Sequence, residues 1–230
     1  MVKSPLIRAA KQVEKAYRDI ANNSKFARYI YEPLDYEKSS LLNREIHILG
    51  EIHGSRAQYD YFRTNLQKEV SKDRKNWIFF IEGGLSNKVK VCPEEFYFGL
   101  VSKLYKIPTF DATSPNLFSP EVRAYVKDKT GMNKETFYGM LYGFFSEGRE
   151  DSMLGSNANI SIVARNLNVD LDSAKEITER GPISGDFYYE IGIHWNRLIR
   201  KTFMNTLEAN PDRNRVMVTC GKQHNIAFLD

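Results

Sequence analysis

The stretch NWIFFIEGG, residues 76–84, decides the fold. Trp77, Ile78, Phe79, Phe80 and Ile81 run without a polar break, and each is aromatic or β-branched. A strand with one wet face alternates apolar and polar residues. A continuous run belongs in a sheet covered on both faces, as parallel sheets are. The run ends on Glu82, with Gly83 and Gly84 behind it. A carboxylate there sits at the lip of the core, where it needs a cation, a proton or a metal. The two glycines let another group approach the backbone closely.

The same reading extends in both directions. Upstream, EIHILG (45–50) is a second short strand, and the residues 55–73 between the two strands predict a helix with Tyr59, Phe62, Leu66 and Val70 on one face. Residues 5–21 form an amphipathic helix on the spacing of Leu6, Ala9, Ala10, Val13 and Tyr17, with Pro5 suited to a first turn. Downstream, 93–104 is helical, KIPTFDAT carries a third strand ending at Asp111, and PNLFSP (115–120) is a loop. Helices are expected at 120–129, 134–146, 157–166 and 171–180, a turn at 181–187, and a longer helix at about 187–209. RNRVMVTCG (213–221) is the last strand. Alternating strands and helices predict an α/β fold, a mainly parallel central sheet flanked by helices. We expect a single domain over 1–230, with a helical insertion or cap at about 115–180.

Composition narrows the class. The chain is 42% hydrophobic and 27% charged, enough for a sizeable core and unlike a disordered segment. The net charge of +4 (33 − 29) is a weak basic bias. No phosphate-cradling glycine loop and no zinc-finger spacing occurs, so no nucleic-acid partner is expected. Two cysteines, Cys92 and Cys220, form neither a disulfide framework nor a Cys-x-x-Cys motif. No apolar run has the length of a signal peptide core or a membrane span. A soluble cytoplasmic protein is the expectation; nothing in the sequence fixes an oligomeric state.

In an open parallel sheet, ligands bind beyond the C-terminal ends of the strands. The first strand runs into LGEIHGS (49–55), placing Glu51 and His53 between Gly50 and Gly54. The second ends on Glu82, and the last runs into Gly221-Lys222-Gln223-His224. Two strand ends thus share the spelling Gly-x-x-His, although their histidines lie 171 residues apart (224 − 53). Imidazole and carboxylate are ligands for zinc, manganese, cobalt or iron. A histidine poised by a carboxylate is also a general base that activates water without a metal.

The series LGEIHGS, FFIEGG and CGKQHN resembles the superfamily that groups TraB/Tiki-type proteins, ChaN-like haem-binding proteins and erythromycin-esterase-like enzymes. That group carries two Gly-x-x-His-like elements, a glutamate ending the second strand, and an arginine on the helix before the last strand, often followed four residues later by Met. Here those last two positions are Arg200 and Met204. The resemblance covers the order of elements over 45–230 and places the site on Glu51, His53, Glu82, Arg200 and His224. It implies His53, Glu82 and His224 as ligands of a divalent transition metal (manganese, cobalt or zinc), with Glu51 or Glu82 as base. Arg200 would hold Glu82, orient a substrate carboxylate or stabilise negative charge. Tiki-type members are metal-dependent peptidases, erythromycin esterases use histidine as a base, and ChaN-like members bind haem or iron. Esterase-type members space the first acid and histidine one residue wider than this chain does.

The expectation is a hydrolase, metal-assisted, acting on an ester or amide bond of a small-molecule or peptide substrate. The alternative is a haem- or iron-binding protein without turnover, with an axial Tyr or His from the aromatic helices. A third possibility is a structural or regulatory module that keeps only the fold. Several residues have plainer readings. His47 alternates with Ile46 and Ile48 as a sheet histidine, and His194 packs within a helix. Asp111 forms a turn, and Cys220 is a small core residue. The stripe Phe137, Leu141, Phe144 and Phe145 is core, or else an apolar wall for haem or a greasy substrate.

Overall fold

The computed structural model describes residues 3–22, 30–51, 55–82, 93–146, 164–165, 168–179 and 188–229. In chain order, helix α1 (Lys3–Ala21) is followed by strands β1 (Asp35–Leu41) and β2 (Arg44–Glu51). Helix α2 spans 57–72 in three consecutive pieces, Ala57–Tyr61, a π turn Phe62–Leu66, and Gln67–Lys72. Then come β3 (Trp77–Ile81), α3 (Pro93–Tyr105) and β4 (Thr109–Asp111). Among the described residues, the helices that follow include α4 (Pro120–Thr130), α5 (Lys134–Ser146), α6 (Leu171–Glu179) and α7 (Ile193–Glu208). A π turn, Tyr188–Gly192, leads into α7. Strand β5 (Arg215–Gly221) and a 3-10 turn, Lys222–Ala227, end the described chain. The expected helix at 157–166 falls almost wholly outside the described residues, and the expected turn at 181–187 falls entirely outside them.

The strands form one sheet in the order β1-β2-β5-β3-β4. β2, β5, β3 and β4 are parallel, and β1 pairs antiparallel with β2 at the edge. The fold is thus α/β with a mainly parallel sheet. Every residue of β3 is buried, as its unbroken apolar run requires. On one face Leu49, Phe79, Ile81 and Met217 pack with Val13 and Tyr17 of α1, Tyr59 and Phe62 of α2, and Phe98 and Val101 of α3. On the other face Phe80 meets Phe203 of α7 at 4.7 Å between ring centroids, and Phe203 meets Phe228 at 5.0 Å. Each such side chain contributes about 1.5–3 kcal/mol by leaving water, before its ordering entropy is counted.

β1 was not anticipated. Its sequence, DYEKSSL, is polar and half-exposed because it lies at the sheet edge. It joins β2 through Leu42 and Asn43, both in the left-handed region with φ of 51° and 60°. That pair of conformations suits the tight turns favoured in β-hairpins.

The chain divides into two compact units, residues 1–114 with 199–230, and residues 115–198. The first holds the sheet. The second is helical among its described residues, with Val122, Val126, Phe137, Tyr138 and Leu141 in its own core. Helix α4 shows how local chemistry sets its ends. The Ser119 side chain accepts the Val122 N–H at 3.2 Å, Pro120 occupies the first turn, and Gly131 stops the helix at φ 72°.

Candidate active site at the C-terminal edge of the sheet

Register puts the ends of the parallel strands side by side. Glu51 pairs with Gly221, and Ile81 pairs with both Thr219 and Asp111. Asp35, the first residue of β1, pairs with Gly50 and so lies at the same edge. The sheet therefore gathers Glu51, Glu82, Asp111 and the turn after Gly221, as a parallel arrangement must.

Glu82 is fixed from two sides. Its backbone N–H donates to the Thr219 carbonyl at 2.9 Å, and its carboxylate Oε2 accepts the Gly221 N–H. The other oxygen, Oε1, lies 4.0 Å from His224 Nε2. His224 is only 3% exposed, carried on the first residues of the 3-10 turn after β5. Two of the expected site residues are thus brought together. Glu51 has its backbone in place at the end of β2; its side chain and the whole of His53 lie outside the described residues. Arg200 donates to the Leu229 carbonyl, so it clamps the segment that follows His224. Asp111 accepts the backbone N–H and the hydroxyl of Thr113 at 2.9 and 3.0 Å, the turn-forming role read from its sequence.

The edge is also where much of the core's polar content collects. Gln58, in the first turn of α2, is buried and donates through Nε2 to the carbonyls of Leu49 (2.5 Å) and Cys220 (3.2 Å). Asn225 is buried, accepts the Cys220 thiol at 3.6 Å, and donates to Asp35 Oδ2 at 3.2 Å. It fills the space that a side chain at residue 50 would need: a Cβ on Gly50 would stand 2.4 Å from Asn225 Oδ1. Thr219 places a buried hydroxyl in β5 that has no hydrogen-bond partner among the described residues. Beside the start of α2, the Tyr17 hydroxyl donates to the buried carboxylate of Glu94 at 2.6 Å and lies 3.4 Å from the Ser55 carbonyl. Gln58 and Asn225 were not picked out from the sequence. The one signal for Gln58 is a polar residue on the helix face that also carries Ser55 and Phe62.

The remaining histidines lie elsewhere. His47 is buried near the N-terminal ends of the strands, where its Nδ1 meets the Tyr36 hydroxyl at 2.9 Å. Its Nε2 is 2.9 Å from Glu45 Oε1 but out of line for a hydrogen bond. Burial pushes the imidazole below its ordinary pKa, against the pull of the Glu45 carboxylate. Glu45 itself is held below the usual carboxylate range, first by its hydrogen bond from Lys38. His194, in the second unit, packs edge-on against Tyr125 at 6.0 Å, and burial together with Arg197 lowers its pKa. Both fit the packed reading given by their sequence context. Cys220 is likewise a buried small side chain in β5.

Among the described residues no three His, Cys, Asp or Glu side chains gather into a metal-binding group. Glu82 and His224 offer one oxygen and one nitrogen, donor types that suit zinc or manganese. Two ligands of a tetrahedral ion lie ~3.4 Å apart, so a closure of roughly half an ångström would suit the pair to that ion. No helix among the described residues is long and apolar enough to cross a membrane. No protein-family model matches the chain, and no curated protein or solved structure matches it either.

Proposed function

We propose that the protein is a hydrolase of ester or amide bonds, with its site at the C-terminal edge of the parallel sheet. The observation that carries this reading is the Glu82–His224 pair, 4.0 Å apart where β3 and β5 end together. The motif order shared with the TraB/Tiki, ChaN-like and erythromycin-esterase-like proteins supports it, and so do the buried polar groups at the same edge. Where no metal is bound, His224 Nε2 is the base that takes a proton from water; a metal held through that nitrogen would leave the proton to Glu51 or Glu82. Glu82, held by the Gly221 N–H through one oxygen, keeps the other toward that imidazole and stabilises it once charged. Arg200 acts by securing the segment behind His224. Glu82 and His224, joined by His53 as the resemblance implies, would hold a divalent transition metal. Such an ion, when bound, supplies Lewis acidity and a more acidic water.

The test uses the full chain prepared without chelator, beside Glu82→Gln and a His53→Ala/His224→Ala double variant. Elemental analysis is expected to find about one transition metal per chain, lost in the double variant. Ester and peptide panels are expected to show turnover that falls by about 100-fold or more in Glu82→Gln. Full turnover in the double variant would remove the proposal. Absence of metal with turnover retained would leave the same residues as a metal-free base pair.

A further inference from the structure

We propose that the protein carries a second site, a cleft between helices α1, α2 and α3 that binds a medium-chain fatty acid by its carboxylate and its apolar body. Helix α2 starts at the candidate active site, where Gln58 meets the Leu49 and Cys220 carbonyls. It runs to the opposite edge of the sheet, where Glu69 pairs with Arg215, the first residue of β5, at 3.2 Å. Beside the later part of α2 lies a cleft of about 410 Å³, within the size range of small-molecule sites. Neither Glu82 nor His224 lines it.

One wall is apolar, made by Leu6, Ile7 and Ala10 of α1. Ile7 is 55% exposed, which leaves apolar surface for a ligand to cover. Tyr97 and Tyr105 of α3 also line the cleft. The buried Tyr97 donates its hydroxyl to Gln67 Oε1 at 3.1 Å, so the Gln67 amide turns its nitrogen to other acceptors. The polar wall centres on Arg63. Its guanidinium lies 5.5 Å from the centre of the Tyr59 ring and donates through Nη1 to the Tyr59 hydroxyl at 3.1 Å. Glu14 meets the same nitrogen at 3.7 Å and is shared with Arg56 at 3.3 Å. Among the described residues these contacts use Nη1 alone, which leaves Nε and Nη2, a pair able to grip a carboxylate side-on. Lys68 adds an ammonium, and no Asp or Glu lines the cleft. Arg63 also sits in the π turn Phe62–Leu66, an irregularity that recurs at functional sites. A lining with two cations, no acid and an aliphatic wall matches a ligand with one carboxylate and an apolar body. An inorganic anion would leave Leu6 and Ile7 uncovered, and a neutral lipid would leave Arg63 unused.

The test titrates the full chain with decanoate by calorimetry, beside acetate, which has the charge without the body, and decanol, which has the body without the charge. Decanoate is expected to saturate one site per chain with a Kd below about 100 μM, and the other two to bind at least about tenfold more weakly. Arg63→Met is expected to weaken decanoate binding by about tenfold or more. Ile7→Asp sets a negative charge at an exposed position on the rim and is expected to do the same. Lys103→Met, which removes a cation of α3 outside the cleft, is expected to change the affinity by less than about twofold. If Arg63→Met fails to fold, Ile7→Asp decides the matter alone. Absence of saturable decanoate binding, equal affinity for decanol or acetate, full binding in Ile7→Asp, or an equal loss in Lys103→Met overturns the inference. Hydrolysis plays no part in the readout, so the outcome is independent of the activity proposed for the sheet edge.

Discussion

Gly50 and Gly221 begin the two Gly-x-x-His motifs, and neither needs a left-handed backbone; Gly221 has φ −60° and ψ 138°. What separates them is the neighbour a methyl group would meet. At Gly50 it is the side chain of Asn225, 4% exposed and tied to Asp35 and Cys220. At Gly221 it is the end of Gln223, which is only partly buried. Gly50→Ala is therefore expected to cost about 1–3 kcal/mol in urea denaturation, and Gly221→Ala less than half as much. Equal losses would show that Asn225 yields as readily as Gln223. Glu82 and His224 were legible in the sequence because each follows a buried strand, where position alone limits what a charged group can do. Gln58 and Asn225 were not. An amide has no pKa in range and no required spacing, and its importance comes from carbonyls that only the folded sheet brings within reach.

Among the elements, β3 and β5 announce themselves through continuous apolar runs, and α1 through its helical stripe. β1 does not, since an edge strand is free to be polar, and its pairing is set by the turn behind it. That turn holds Leu42 at φ 51°, a conformation costing an ordinary L-residue roughly 1–2 kcal/mol. Leu42 is 46% exposed and recovers little of this by packing. Replacing it with Asn or Gly is expected to raise stability by about 0.5–1 kcal/mol, read as a higher urea midpoint with unchanged slope. A fall would mean that the Leu42 side chain makes a contact worth more than the strain. The π turn at Phe62–Leu66 was equally hidden, because the stripe of Tyr59, Phe62, Leu66 and Val70 reads as one helix with or without it.

Across the whole molecule, the sheet keeps different polar clusters at its two edges, and the one around His47 governs how the fold answers to acid. Burial keeps His47 neutral in the folded state, below its ordinary value of 6.5. The unfolded chain therefore takes up a proton first. Stability is complete above that ordinary value and declines as the pH falls through it, by at most about 1.4 kcal/mol per pH unit for one proton. Glu45 works in a lower window. Its stabilisation is present above the usual carboxylate value of 4.5 and is lost only on further acidification. Between roughly pH 7.5 and 5.5, urea midpoints are expected to fall more steeply for the wild type than for His47→Gln. The difference isolates His47, because His194 shifts in the same direction in both proteins. Parallel curves would show that folding leaves the His47 pKa unchanged.

The strand order has a further consequence, in the making of the protein. β5 lies between β2 and β3, yet of the sheet's five described strands it is synthesised last. A nascent chain that has not reached Arg215 holds β1 with β2 and β3 with β4 as separate ribbons, each with an unpaired inner edge. Such edges are templates for pairing with other chains. The sheet can close only when 215–221 leave the ribosome, by inserting between two parts that have been waiting for it, a slow search across long sequence separations. Translation products that stop short of β5 are therefore a natural clientele for chaperones and proteases.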